Sequence, residues 1–299
     1  MTGRHRQRWL HNLTTQDIKG LVPGQGRYTT CVTEKGRLVG EGQVYDAGDR
    51  LILVVPEAAL AELVAHLRRY IVAEDVALHE LSPRDAVVSF VGPAAPRCLE
   101  ALLQTPLTGL TQVDSGYGDV LVLPRVRLNQ PGIDCVGTRE ALEALLRASG
   151  AVEATEAAWD GARIAAAIPE WGRDLDATIV PLEAGLYDGV HWKKGCYLGQ
   201  ETIAKMAHRG HTTKELRQLQ GARGAAEGPG TALFPLRGPF ERPVARLTSV
   251  GTSPQDESRI ALGMVRREHF EPGTQLVAHD GAAPWTVTQA RIRGATPPE

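Results

Sequence analysis

The sequence has little that would tie it to a membrane, an oxidising compartment or a nucleic acid. Its 299 residues hold four cysteines, at 31, 98, 135 and 196, and no pair has the CxxC spacing of a zinc or redox site. Few and widely spaced cysteines fit a reducing compartment. No apolar run approaches the ~20 residues a membrane helix needs; the richest, 51–55, stops at Pro56. The first ten residues carry Arg4, Arg6 and Arg8 without an apolar core, so the expectation is no secretory signal and a cytoplasmic protein. Charge of one sign is also missing. Lys and Arg number 33 against 35 Asp and Glu, a net −2, where a dedicated duplex-DNA binder shows a basic excess. Aromatics are 5%, too few for a stacking surface along the chain. The expectation is therefore no direct nucleic-acid partner and no membrane.

What is present is ordinary for a globular protein: 42% hydrophobic and 23% charged residues, which excludes disorder, collagen and a disulfide scaffold. The length suits about two domains, or three small ones. Residues 28–33 and 37–45 read as strands joined by a turn at Glu34-Lys35-Gly36, and 51–55 as a third strand. Residues 57–70 read as a helix, with Leu60, Leu63, Val64 and Leu67 on one face. The alternation recurs: strand 86–91, a short helix around Leu99, Leu102 and Leu103, strand 120–128, and helix 139–149 between Thr138 as N-cap and Gly150. A further helix is expected over 155–168, stopped before Pro169. From Lys214 glycine and proline become frequent, and strand-like runs follow at 244–250, 259–265, 274–278 and 285–292 with no convincing helix. The pattern predicts an α+β region over 1–210 and an all-β domain over 211–299.

The most unusual segment lies just before that boundary: Lys193-Lys194-Gly195-Cys196-Tyr197-Leu198-Gly199-Gln200-Glu201. Gly195 and Gly199 permit tight turning and close backbone approach. A helix is expected to begin near Thr202, so Cys196 precedes a helix N-terminus and has lysines beside it, both of which favour a thiolate. Gln200 and Glu201 add an amide and a carboxylate. Residues 191–217 hold six Lys or Arg against two acids, a balance suited to an anionic ligand. Each feature also has a structural reading: free cysteines are among the most buried residue types, and a local charge excess is often a solvated face. His208 and His211 stand 12 and 15 residues from Cys196, which matches no compact metal-ligand pattern, and no metal is expected.

Residues 194–201 resemble the K-G-C-[FYW]-x-G-Q-E signature of the YgfZ family, folate-binding proteins related to the T-protein (aminomethyltransferase) of the glycine cleavage system. Trp9-Leu10-His11-Asn12-Leu13-Thr14-Thr15-Gln16-Asp17-Ile18 is similar to that family's F-L-H-N-L-T-T-x-D-I segment. Pro181-Leu182-Glu183-Ala184-Gly185-Leu186 resembles P-x-E-A-G-L, and Ile260-Ala261-Leu262-Gly263-Met264-Val265-Arg266 resembles the barrel motif A-L-A-x-V-R. The resemblance covers essentially the whole chain. It implies two mixed α/β lobes plus a C-terminal β-barrel around a central folate-sized hole, with tetrahydrofolate or a derivative as cofactor. It places Tyr28, Glu41, Glu183, Lys194, Gln200 and Glu201 at the cofactor and gives Cys196 the chemical role. Because the family's early segment begins here at about residue 6, a strand is expected upstream of Met1.

Two departures matter. Glu41 stands where T-proteins carry an aspartate near the reacting folate nitrogen, and Ala165 replaces the acid of the T-protein sequence R-L-E-A-G, here Arg163-Ile164-Ala165-Ala166-Ala167. The resemblance therefore implies a folate-dependent accessory role toward iron–sulfur client proteins, including iron–sulfur enzymes that modify tRNA. The alternatives are a tetrahydrofolate-dependent aminomethyltransferase or demethylase, and a scaffold that binds partners without folate. On structural readings, Glu41 is a surface strand residue and Tyr28 core packing; Cys31 in its strand, and Cys98 and Cys135, expected to be buried beside Leu99 and Val136, are structural. The oligomeric state is left open.

Overall fold

The computed structural model describes residues 1–81, 85–115, 118–208, 212–237 and 240–288. The chain opens with helix α1 (Arg6–Leu13) and a three-stranded antiparallel sheet, β1 (Gly26–Val32), β2 (Leu38–Asp46) and β3 (Leu51–Val54), in that spatial order. Helix α2 (Glu57–Arg68) covers one face. Its buried stripe is Ala59, Leu63, His66 and Leu67, turned from the expected one: Leu60 and Val64 are only half-buried, and His66 enters the core. The β1–β2 register slips between Cys31 and Val32, a bulge. Beyond it Tyr28 pairs with Gln43 and Thr30 with Glu41. Strand alternation then puts Tyr28, Thr30, Glu41, Gln43 and Tyr45 on the face opposite α2.

A second antiparallel sheet follows, β4 (Asp85–Val91), β5 (Thr111–Ser115), β6 (Gly118–Arg127) and β7 (Gln130–Thr138), ordered β4-β7-β6-β5. Helices α3 (Ala95–Leu103) and α4 (Arg139–Ser149) pack on one side of it. Thr138 Oγ1 accepts the Ala141 N–H at 3.3 Å, and Gly150 turns left-handed at φ 65°, so both ends of α4 are capped as expected. The two sheets meet through Tyr45, Ile52 and Leu123, and the Tyr45 hydroxyl donates to the Pro124 carbonyl at 3.3 Å.

Helix α5 (Glu156–Ala165) starts at the Thr155 cap and ends three residues earlier than expected. Ala167 adopts φ +54°, and the residue before Pro169 disfavours helix. After α6 (Gln200–His208) come β8 (Lys214–Gly221), β9 (Ala232–Pro235), β10 (Ala245–Thr252), β11 (Arg259–Arg266), β12 (Gln275–Val277) and β13 (Trp285–Val287). They close a six-stranded barrel, β10-β11-β8-β13-β12-β9, around Leu219, Leu247, Val265 and Trp285. The last strand is shorter than the expected 285–292, whose end lies outside the described residues. A mixed α+β body with a closed C-terminal barrel is thus the architecture, as expected. No helix among the described residues is long and apolar enough to cross a membrane.

A buried ion pair ties α5 to the barrel. Arg163, 1% exposed, donates to Asp174 Oδ2 and to Ser249 Oγ of β10, each at 2.8 Å. Ser249 in turn donates to Asp174 Oδ1 at 2.7 Å. Such a pair tolerates burial because its remaining hydrogen-bonding capacity is used.

Candidate functional site

Residues 10–18 and 187–198, far apart in sequence, are sewn together by their backbones. The Leu198 N–H donates to Asn12 O and the His191 N–H to Thr15 O, both at 2.9 Å. The Gln16 side chain donates to Asp188 O at 2.9 Å, and the Thr15 hydroxyl reaches Gly189 O and, at 2.8 Å, the Thr30 hydroxyl of β1. Gly189 packs flat on that strand: a Cβ there would lie 3.1 Å from Tyr28 Cε1 and 3.2 Å from Thr30 Cγ2.

Lys194 closes the junction. Its ammonium donates to the carbonyls of His11, Thr14 and Gln16, the latter two at 2.6 and 2.7 Å. The His11 oxygen belongs to the last turn of α1, where carbonyls lack helical partners. All three ammonium donors are consumed. Burial pulls the Lys194 pKa from 10.5 down to about 7, against the charge of Asp17. His11 returns the contact. Its Nδ1 accepts the N–H groups of Ile18 and Lys19, both at 3.3 Å, while Nε2–H donates to Lys194 O at 3.2 Å. That pattern sets the neutral Nε2–H tautomer, and burial with Lys194 nearby lowers the His11 pKa. The 3.2 Å approach of Asp17 Oδ1 to Nδ1 is accordingly not an ion pair.

The glycines of the segment do different jobs. Gly199, at φ +76°, presses on the β1–β2 turn, where a Cβ would lie 2.4 Å from Thr33 O and 2.8 Å from Val32 Cγ2. A Cβ on Gly36 of that turn would likewise lie 2.8 Å from Thr202 Cβ. Gly195, at φ +91°, has open space around it. Between them Cys196 is exposed, with Tyr197, Leu198 and Gly199 separating it from the first residue of α6. Tyr197 is buried enough to push its phenol up to about 12.

The sequence-predicted residues sort into two groups. Tyr28 and Glu41 share one sheet face, and Tyr28 belongs to the same apolar cluster as Leu182 and Ala184, which flank Glu183 in the 3₁₀ turn Pro181–Ala184. Glu183 is 5% exposed, and its Oε2 accepts the Val180 N–H at 3.0 Å. Gln200 opens α6 beside this turn. Lys194 is spent on main-chain carbonyls, and Glu201 is 79% exposed and pairs with Lys205 on the outer surface of α6. Ala165 packs against the cluster of Ile164, Leu216 and Leu262 between α5 and the barrel. Cys31 and Cys135 are buried, with thiols pushed up to about 12 by desolvation. Cys98 is exposed, contrary to expectation, because it occupies the outer side of α3 while Leu99 and Leu103 face the core.

One polar group escaped the sequence reading. Asp134 on β7 is fully buried and accepts from Ser89 Oγ at 2.7 Å and from Arg127 Nε and Nη2 at 2.7 and 2.8 Å, with Arg125 at 3.4 Å. The arginines hold its carboxyl below the usual range despite burial. The Asp134 charge also helps raise the Tyr45 phenol, so the group stands where the two sheets face each other. The available signal was two arginines at alternate positions of β6, in line with the inward Leu121 and Leu123.

This arrangement defines a class: an α+β body with a closed barrel, in which a cysteine-bearing loop is clamped against the first sheet. Residues 1–123 match the GCVT N-terminal domain family. The chain is 30% identical over 304 residues to the mitochondrial aminomethyltransferase of Gallus gallus, covering 92% of this chain and 73% of that protein. It is 25% identical to a tRNA-modifying protein YgfZ of Vibrio atlanticus over 74% of this chain and 66% of that one. Its fold matches the crystal structure of the glycine cleavage system aminomethyltransferase T from Bartonella henselae with a TM-score of 0.81, covering 98% of this chain and 82% of that one at 18% identity. The chain belongs to the GCVT aminomethyltransferase family.

Proposed function

We propose that the protein is a tetrahydrofolate-binding accessory factor for the assembly or repair of iron–sulfur proteins, including iron–sulfur enzymes that modify tRNA. The observation that carries this reading is the exposed Cys196 on a loop clamped by Lys194, His11 and Gly199 against the sheet that bears Tyr28 and Glu41. A loop held by these fixed contacts and presenting an exposed thiol suits delivery chemistry at a client better than transfer within a closed site. Ala165, where T-proteins carry an acid, supports the same conclusion. Residues 1–210 would hold the ligand and 211–299 would close it.

The residues fit a reduced folate. Tyr28, buried with Leu182 and Ala184 and covered by Gly189, would back the ligand through the Glu183 turn. Glu183 keeps one oxygen engaged by Val180 N–H, and a carboxylate accepts paired hydrogen bonds from an N–C–N edge such as that of a pterin. When bound, tetrahydrofolate supplies one-carbon or reducing chemistry at its pteridine ring. The chain's own part is to orient that ring with Glu41, Glu183 and Gln200 and to present the Cys196 thiol. A second reading, tetrahydrofolate-dependent aminomethyl transfer or demethylation, is favoured by the 30% identity to an aminomethyltransferase. The deciding experiment is complementation of an iron–sulfur maturation defect by wild type and Cys196→Ala, beside an aminomethyltransferase assay. The proposal expects the wild type to complement, the variant to fail while remaining folded, and no aminomethyl transfer. Full complementation by Cys196→Ala, or robust aminomethyl transfer, would overturn it.

A further inference from the structure

The outer wall of the barrel carries cations that the fold does not neutralise. β8 and β11 pair with Lys214 directly opposite Arg266, and Arg246 on β10 lies opposite Met264, two residues before Arg266. Ala245 and Val265 point into the barrel core, so alternation places Lys214, Arg246, Met264 and Arg266 together on the outside. Like charges directly opposite in an antiparallel pair are destabilising. Among the described residues no carboxylate pairs with any of the three cations, and Arg246 donates only to the Gly230 carbonyl, at 2.6 Å.

These side chains border a cleft of about 350 Å³ between the barrel and residues 173–179, a volume in the range of small-molecule sites. The acids on its far wall are already engaged. Asp174 is held by Arg163 and Ser249. Asp176 Oδ1 accepts the N–H and hydroxyl of Thr178 at 2.7 and 2.6 Å. Arg173 is balanced by Asp160 and Glu170. Asp176 keeps its charge, so the three cations of the barrel face one carboxylate without a cationic partner and the cleft is positive overall, with apolar surface from Ile179, Val244 and Met264 between the charges.

We propose that this cleft binds a linear oligocarboxylate, whose carboxylates meet Lys214, Arg246 and Arg266 while its methylene segments lie on Met264 and Val244. Unpaired cations forced into register are a cost that the folded chain carries and that such a ligand removes. Two sources share this chemistry: a γ-linked glutamate chain attached to the folate, which rests on the function proposed above, and a separate small polycarboxylate, which does not.

The test is calorimetry at low salt with the full chain, as wild type and as Lys214→Gln/Arg266→Gln. The titrants are free γ-linked pentaglutamate and tetrahydrofolate bearing one or five glutamates. Free pentaglutamate should bind the wild type, lose about tenfold or more in affinity in the double variant, and weaken as salt rises. A five-glutamate folate that binds more tightly than the one-glutamate form only in the wild type assigns the source to the folate tail. Equal folate affinities with the free peptide still binding assign it to a separate ligand. Failure of the one-glutamate form to bind counts against the folate function alone. Lys214→Gln on its own should keep or raise the melting temperature without ligand, since it relieves a like-charge pair. The proposal is overturned if free pentaglutamate does not bind the wild type, or binds wild type and variant alike.

Discussion

Replacing Gly199 with alanine tests whether the cysteine loop is seated on the first sheet as described. Two costs combine. An L-residue in the left-handed region costs roughly 1–2 kcal/mol, and Gly199 sits at φ +76°. The added Cβ would also lie 2.4 Å from the Thr33 carbonyl oxygen, a backbone atom that cannot rotate away. Accommodating it means shifting the start of α6 off the β1–β2 turn, an overpacking cost of about 1–3 kcal/mol. The sum, about 2–5 kcal/mol, contrasts with Gly195→Ala, which has a similar φ of +91° but nothing within 4 Å and should lose only the roughly 1–2 kcal/mol of backbone strain. Urea unfolding of both variants, followed by fluorescence and circular dichroism, measures the difference. Equal losses in the two variants would refute the close approach of Gly199 to Thr33 and, with it, the clamped loop.

Ala167 adopts φ +54° where the T-protein pattern carries glycine, so Ala167→Gly should stabilise the protein by about 0.5–1 kcal/mol, the relief of left-handed strain less the entropy of glycine; a lower urea midpoint would contradict this. Stability should depend on pH through Lys194. Its pKa is lowered from 10.5 to about 7, so above about pH 7 the unfolded chain holds a proton that the folded one has released, and unfolding free energy rises with pH. Cys31 and Cys135 act oppositely: raised from 9.0 to about 12, they keep protons that the unfolded chain loses, and stability falls above about pH 9. Lys194→Met should remove the rise between about pH 8 and 10, leave the rise from the lowered Met1 amine below pH 8, and leave the falling limb in place, in melting curves taken between pH 6.5 and 10. Alkylation at pH 7.5 read by mass spectrometry should modify Cys98 and Cys196 within the native protein and spare Cys31 and Cys135; labelling of Cys31 at the rate of Cys196 would argue against the β1 packing.

Local pattern carried the reading furthest where neighbours in sequence are neighbours in space. The β1–β2 hairpin, the Thr138 and Gly150 caps and the β character after Lys214 are all short-range features, and the structure contains them. Asn129, Pro131 and Gly132 look like a turn, yet strand β7 runs from Gln130 to Thr138 and buries Asp134 against two arginines of β6. That burial depends on pairing between strands and leaves no mark on periodicity. The stripe of α2 turned for a similar reason: His66 is polar by type but sits against the core. The basic segment around Cys196 reads as a positive field, whereas its most buried lysine, Lys194, serves the main-chain carbonyls of His11, Thr14 and Gln16, in and just after α1 and more than 170 residues away. The resemblance to known motifs picks out segments 10–18 and 194–201, and the structure joins them through the Leu198–Asn12 hydrogen bond and the Lys194 ammonium.

The central claim is that the Tyr28–Glu41 face and the Glu183 turn form a folate site. Calorimetric titration of one-glutamate tetrahydrofolate into wild type and Glu183→Gln tests it most directly, because glutamine can keep the hydrogen bond from Val180 N–H while removing the charge. The account predicts binding at one site per chain in the wild type and an affinity about tenfold or more weaker in the variant, with unchanged melting temperature. Absence of binding to the folded wild type, or equal affinity for both proteins, would contradict it.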